Sequence, residues 1–415
     1  MNAGTSNHTI FDPADRHYQQ ETFSQPSHPM SNTKKKVVVT VISDLATDQR
    51  VHKVCQSLHE NGYDIYLIGC RKKDSLTPSS REYRFDRLPV LFQKKIPFYL
   101  EFNFRLFFKL LFTRADIYLG NDLDVMPATY SVSAIRRKPV VYDTHEYYLG
   151  MNGLDKKPVR RKIWKSLESF IFPRVDAVYS VSDAICNIYK GEYHRDLKTV
   201  RNLPFANPES NGYHLSESGE KFSVPPGRKI LLFQGAGINM LRGVEELVLS
   251  MKWLDPQCYH LIIVGAGHVM PAIRKIISEE RLEEMITLLP RVPFPELRQI
   301  TEAAHLGLSL DKPENSNMRY GLPNKLFDYL HAGVPVLASR LVEVEKIITQ
   351  YNVGTFIESH DPRHIASVIE KIFSDPQQLK LWKENTAKLR KELNWENESK
   401  IVLEIFKQVE GETVN

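Results

Sequence analysis

Cysteine is scarce in this chain of 415 residues: Cys55, Cys70, Cys186 and Cys258 lie far apart, without metal-ligand spacing. That excludes a disulfide-stapled secreted domain or a zinc ribbon and points to a reducing compartment. The opening thirty-odd residues lack the apolar run of a secretory signal, so a cytoplasmic location is expected. No stretch is apolar enough to span a bilayer, and no internal repeat or low-complexity run is present. The dinucleotide glycine fingerprint is incomplete at Gly265-Ala-Gly267, which disfavours an oxidoreductase.

What is present is an ordinary globular composition, 42% hydrophobic and 25% charged. The length exceeds one core and divides naturally into two domains of roughly 170–200 residues. Residues 1–33, rich in Ser, Asn, Gln, His and Pro, are expected to be a disordered tail. A first domain is expected over 34–205, a second over 206–380, and closing helices over 381–415, with Trp382 and Trp395 suited to packing. The boundary falls at Arg201–Pro208, where Pro and Asn cluster and apolar periodicity lapses. In the first half, strands are predicted at Val37–Ile42, Ile65–Gly69, Ile117–Leu119, Val140–Tyr142 and Ala177–Val181, with a helix from about Asp48. In the second half they are predicted at Lys229–Gln234, Leu261–Val264, Met285–Leu289, His305–Leu310 and Val334–Ala338, with the chain mainly helical after Ile357. Both halves thus read as α/β, each a doubly wound parallel sheet with helices on both faces.

The stretch Arg319–Ala338 reads as loop, helix and strand, with the helix over Leu322–Ala332 and Pro323 in its first turn. The helix start offers unpaired N–H groups and a positive dipole end, and Lys325 adds a charge: an anion site, most simply for phosphate. Asp328, one turn on, is spaced to reach a hydroxyl of the phosphate carrier; alternatively it pairs with Lys325 on a solvated face. A second cationic helix start lies earlier, where the strand ending at Gln234 runs through Gly235-Ala-Gly237 and Asn239 to Arg242-Gly243. Two such starts at the carboxyl edge of one sheet can grip a diphosphate.

Gln234-Gly-Ala-Gly-Ile-Asn-Met-Leu-Arg-Gly243 and Leu322-Pro-Asn-Lys-Leu-Phe-Asp-Tyr-Leu-His-Ala-Gly-Val-Pro-Val336, in this order, resemble the donor-binding half of the family 4 glycosyltransferases. The resemblance covers most of 36–385. It implies the GT-B fold, two Rossmann-like domains facing across a cleft with the last helices crossing back, and retaining transfer from a nucleoside diphosphate sugar. It further implies donor contacts at Gly235, Gly237, Asn239, Arg242, Gly265, Leu322, Pro323, Asn324, Lys325 and Asp328. Where many members carry two glutamates separated by seven residues, this chain has Tyr320 and Asp328, which bears on the donor sugar.

In the first domain, Asp48 and Arg50 follow the first strand as acceptor-side candidates, the alternative being a helix cap and a surface ion pair. Asp122 and Asp124 follow the Ile117 strand; an Asp-x-Asp metal pair is discounted there, so no metal and no cofactor are expected. Asp143, His145 and Glu146 end another strand and match the family's acceptor-side Asp/His segment, so the resemblance makes His145, with Arg242 and Lys325, the expected catalytic set. A nucleotide-sugar 2-epimerase or a non-catalytic nucleotide-sugar-binding relative remain alternatives. The expected partners are a nucleotide-sugar donor and a glycan or lipid-linked acceptor, with no nucleic acid.

Charge is uneven. Between Lys34 and Phe205 there are 30 Lys and Arg against 19 Asp and Glu, a net of +11 where the whole chain carries +5. Beside this excess, Ile96–Phe112 reads as a Phe-rich helix too short and polar to span a bilayer. Either it lies on the inner face of an anionic plasma membrane as a peripheral contact, or it packs in the first core.

Overall fold

Near-continuous runs of Val, Ile and Leu make strands that are buried on both faces, the mark of parallel sheets. The computed structural model describes residues 34–151, 153–154, 157–206 and 226–411, and it contains two such sheets. The expected N-terminal tail and most of the polar stretch after Pro208 lie outside the described residues. In the first half β1 (Lys36–Thr40), α1 (Gln49–Glu60), β2 (Asp64–Arg71), β3 (Arg84–Pro89), α2 (Lys95–Leu111) and β4 (Ile117–Asn121) follow in order. Then come α3 (Met126–Arg136), β5 (Val140–Thr144), α4 (Pro158–Ile171), β6 (Ala177–Ser180), α5 (Asp183–Tyr193) and β7 (Lys198–Thr199). The sheet order is β3-β2-β1-β4-β5-β6-β7, and all neighbours are parallel.

The second half contributes β8 (Lys229–Gly235), α6 (Val244–Ser250), β9 (Tyr259–Gly265), α7 (Met270–Glu279), β10 (Ile286–Leu289) and α8 (Phe294–Glu302). It continues with β11 (Leu306–Ser309), α9 (Ser316–Tyr320), α10 (Asn324–His331), β12 (Val336–Ser339), α11 (Val342–Tyr351), β13 (Gly354–Ile357), α12 (Pro362–Ser374), α13 (Pro376–Glu392) and α14 (Trp395–Val409). Its parallel order is β10-β9-β8-β11-β12-β13. Each order reverses beside its first strand, between β1 and β4 and between β8 and β11, and such switch points open a crevice at the strands' carboxyl ends.

Strand alternation divides the interior into layers. Val38, Tyr66 and Ile68 join a core with α2, α3 and α4, while Val37, Val39, Ile65 and Leu67 face the opposite layer of α1 and α14. In the second sheet Leu231 and Phe233 face α6, α7 and α12, and Ile230 and Leu232 face α10 and α11. The predicted α/β architecture holds, and three strands it did not include are all at sheet margins. β3 and β13 are half-exposed edge strands without an apolar run, and β7 has two residues.

The last helix crosses back onto the first domain. Trp395 is fully buried among Val51, Val54 and Leu58 of α1; its indole N–H donates to Ser57 Oγ at 2.9 Å and its backbone N–H to Pro204 O at 2.9 Å. Trp382, expected to share this duty, stays in the second core, where its indole N–H donates to Asn352 Oδ1 at 2.9 Å. The reason is register, since α13 runs against the second domain and only α14 reaches α1. Replacing Trp395 by Ala is expected to cost about 3–5 kcal/mol at the α1–α14 contact. Urea unfolding followed by hydrogen exchange on α14 should show early loss of protection there, with α12 unaffected.

Candidate active site

A cleft of about 560 Å³ lies where the two carboxyl edges meet. Gly235, Gly237, Arg242, Leu322, Pro323, Asn324 and Lys325 line its second-domain wall, and His145, Glu146, Met151, Val181 and Ile185 line the wall opposite.

Loop geometry fixes the second-domain wall. Gly265, at φ +142°, lies so close to the first glycine turn that a Cβ would sit 2.0 Å from Gly235 O. It therefore shapes that loop from behind without lining the cleft. Gly243 has φ +69°, and a Cβ there would lie 2.3 Å from Leu310 O, so the chain carrying Arg242 presses on the end of β11. Asn239 also lies off the cleft: its side-chain carbonyl accepts the His268 N–H at 3.2 Å and ties two loops together. The helix expected over Leu322–Ala332 is α10, two residues shorter at its start, where the N-cap Pro323 is extended, and one at its end, where Ala332 is the C-cap. Its N-terminus opens on the cleft.

The two cations converge on a residue the sequence reading did not single out. Arg242 Nη1 lies 3.0 Å from Asp311 Oδ1, and Lys325 Nζ lies 3.3 Å from Asp311 Oδ2. Asp311 is 2% exposed, just past β11, and lines the cleft. Its signal was available, since an acid directly after the apolar run ending at Leu310 falls on the ligand edge of a parallel strand. Lys325 also sits 4.3 Å above the Phe233 ring. Burial lowers its pKa and Asp311 opposes that shift, while Arg242 adds to the lowering.

Asp328 neither pairs with Lys325 nor lines this cleft. Its carboxylate accepts from Gln234 Nε2 at 3.1 Å beside a small separate cavity, and Gln234 is the residue that faces both spaces. Burial pushes the Asp328 pKa up to about 6, against the pull of Lys53 on α1.

On the first-domain wall His145 is set between acids. Nδ1 lies 3.3 Å from Asp122 Oδ2, and Nε2 lies 3.3 Å from Asp143 Oδ2 and 3.2 Å from Asn121 Oδ1. Burial opposes protonation, but Asp122 and Asp143 together outweigh it and raise the pKa to about 9. The two acids thus favour the imidazolium form of the ring. Asp122 adopts a left-handed φ of +64°, which turns its carboxylate back to take the His145 N–H at 2.9 Å.

Arg50 and Asp143 are corrected from acceptor-side groups to buried ones. Arg50 Nε and Nη2 reach Asp143 Oδ2 and Oδ1 at 3.0 and 2.8 Å, and Nη1 donates to Val200 O at 2.9 Å. Both side chains lie behind His145, almost fully enclosed, so the pair is neither superficial nor open to a ligand. Burial raises the Asp143 pKa, yet Arg50 and His145 overcome that and hold it at about 2. Asp48 is the N-cap of α1, its carboxylate accepting the Val51 N–H at 3.0 Å, and it too lies outside the cleft. Asp124 is buried with its pKa raised by burial, and next by Asp122. Among the described residues no group of three or more His, Cys, Asp or Glu is arranged to hold a metal ion.

Glu146 is the first-domain acid that reaches the cleft. Asn317 Nδ2 of α9 donates to its Oε2 at 2.8 Å, joining the two walls. Burial, then Asp122, raises its pKa to about 7, offset in part by His145 and Arg242. Tyr320, at the position of the family's first glutamate, instead packs toward the first-domain core, and its carbonyl accepts from Ser182 Oγ at 2.8 Å. The acids lining the cleft are thus Glu146 and Asp311.

Comparisons with known proteins bear on the family and the fold. The family described as Glycosyltransferase Family 4 matches residues 48–202, and Glycosyl transferases group 1 matches residues 216–389. An uncharacterized glycosyltransferase of Methanocaldococcus jannaschii is 21% identical over 370 residues, covering 84% of this chain and 91% of its own. Among solved structures, sucrose-phosphate synthase from Thermosynechococcus elongatus is similar at a TM-score of 0.70, with 14% identity, covering 91% of this chain and all of that one. The Anabaena protein HepE, solved in complex with UDP-glucose, is similar at 0.67, with 12% identity, covering 90% of this chain and 100% of its own. With both domains matched in sequence and the two-sheet architecture shared, the chain belongs to the family 4-like glycosyltransferases of the GT-B fold.

Proposed function

We propose that the cleft binds a nucleoside diphosphate sugar and transfers its sugar, with retention of configuration, to a hydroxyl of a glycan or lipid-linked glycan. The observation carrying this reading is the convergence of Arg242 and Lys325 on Asp311 beside the N-terminus of α10. An incoming diphosphate can replace the carboxylate as partner of both cations, and the helix terminus supplies further donors. A similar fold binding UDP-glucose in HepE supports this class of donor.

As the bond from the anomeric carbon to the phosphate oxygen breaks, its electron pair stays on that oxygen. Preorganised cations there lower the barrier, and such electrostatic stabilisation is usually the largest catalytic contribution. The acceptor oxygen bonds to the anomeric carbon on the face just vacated, and its proton passes to the departing phosphate. His145, its two ring nitrogens held by Asp122, Asp143 and Asn121, sets a positive charge on the first-domain wall beside the sugar; Glu146 accepts from a hydroxyl. Asp328 acts on the nucleotide through Gln234.

Arg242→Ala and Lys325→Ala are each expected to lower kcat by about 10²–10³ with the fold intact. Near-normal turnover in either variant would remove that residue from the diphosphate site. Analysis of the products separates transfer from epimerisation, which yields an isomer or free sugar without any acceptor.

The phosphate charge has its own cations, so we expect activity without a divalent metal. Initial rates in excess EDTA should equal those in magnesium or manganese; abolition by chelator and rescue by manganese would point to the Asp122/Asp124 pair instead.

The rate should also follow the two titrating wall groups. Glu146 is ionised above about 7 and His145 keeps its proton below about 9, so kcat should rise through the first value and fall through the second. Glu146→Gln is expected to flatten the acid limb and His145→Asn the alkaline limb; unchanged limbs in both variants would refute these roles.

A further inference from the structure

Helix α2 carries two apolar stripes, each repeating every four residues. Phe98, Phe102, Leu106 and Leu110 are buried against the first sheet. Leu100, Phe104 and Phe108, two positions ahead and so on the opposite side of the helix, are 67%, 66% and 44% exposed. Ile96 before them and Phe112 just past the helix extend that outer stripe along about 25 Å. The helix therefore packs in the first core along one face, as one of the two expectations had it, and leaves its other face exposed.

The loop before α2 adds Leu91 and Phe92, both exposed, and the structure holds them there. The Glu101 carboxylate accepts the Leu91 and Phe92 N–H groups at 2.9 Å and is paired in turn with Arg105. Between Leu88 and Pro89 of β3 and the outer face of Phe104, Phe108 and Phe112 lies an open groove of about 560 Å³. Alongside, α4 turns out Val159, Ile163 and Phe170. The helices are one layer, since Tyr99 of α2 packs edge-on against Trp164 of α4 with ring centres 5.7 Å apart.

Cations frame this surface. Lys94 and Lys95 stand at the start of the α2 stripe and Arg114 just past its end, while Arg161 and Lys162 stand on α4, all exposed. Apolar patches of this extent on a soluble domain mark an interaction site. A second copy of the chain would set cation against cation, so like charges disfavour it. An anionic surface with an apolar interior satisfies both the stripe and its frame.

We propose that the outer face of α2 and α4 docks on an anionic lipid bilayer, with the Phe104–Phe108–Phe112 stripe entering the acyl boundary and the flanking Lys and Arg meeting lipid phosphates. No helix among the described residues is long and apolar enough to cross a membrane, so the contact is peripheral. Met151 lines the cleft only seven residues before α4 begins, and Trp164 packs on Tyr148, so a lipid-borne acceptor arriving by this face reaches the first-domain wall.

The test needs no turnover, so its failure is distinct from failure of the transferase reading. The full chain is sedimented with vesicles of phosphatidylcholine, with and without phosphatidylglycerol, at low and high salt. Binding is expected only with phosphatidylglycerol and should weaken as salt rises. Arg161→Gln with Lys162→Gln should lower the partition coefficient by roughly thirtyfold. Phe104→Glu with Phe108→Glu should lower it by roughly tenfold or more, with melting temperature preserved because these rings are exposed. Binding indifferent to lipid charge and salt, or no binding, overturns the proposal. A dimer in sedimentation velocity that Phe104→Glu dissociates, without lipid binding, assigns the face to a second copy and overturns it too.

Discussion

A charge enclosed at the end of a strand must be answered by an opposite charge nearby, and this requirement organises both walls of the cleft. On one wall Asp311 holds Arg242 and Lys325 within reach of each other, although two cations would otherwise separate. On the other, Arg50 fixes Asp143, and the Asp143 and Asp122 carboxylates favour the protonated form of His145. The walls are of opposite design. The first leaves a surplus of one positive charge facing the cleft, whereas the second pairs its charges internally, with both ring nitrogens of His145 taken by Asp122, Asp143 and Asn121.

This difference explains what could be read from the sequence. The second-domain wall is local: Gly235–Gly243 and Leu322–Lys325 each form a turn and a helix start, so spacing and turn residues put them at the strand ends that line the cleft. Asp311 escaped notice because it stands alone after β11, and its meaning comes from two partners distant in sequence. The first-domain wall is nonlocal throughout. Arg50 and Asp143 are 93 residues apart, and nothing in either neighbourhood indicates that they meet. Their polar character suggested ligand contacts; burial behind His145 shows support instead. For Asp328, helical spacing allowed reach to a hydroxyl of the phosphate carrier or a pair with Lys325, but could not show Gln234 as its partner.

The fold was legible wherever a strand is central, because such strands must be apolar on both faces. It was illegible at the margins, where β3 mixes charges with apolar residues and β13 is only Gly-Thr-Phe-Ile, too short to give a pattern. The Phe-rich segment shows the same limit from the other direction. A helix with apolar residues around most of its circumference does not state which side is buried; the sheet beneath Phe102 and Leu106 decides it.

The return of α14 to α1 has a mechanical meaning. The chain passes from the first domain to the second after Pro204 and comes back before Trp395, and these two crossings are fastened together by the bond between Trp395 N–H and Pro204 O. Two bodies joined at a single point can swivel in any direction, whereas a paired strap restricts them to rotation about the line through the join. The cleft can widen only if the Glu146–Asn317, Ser182–Tyr320 and Ala184–Glu343 contacts between the two domains part.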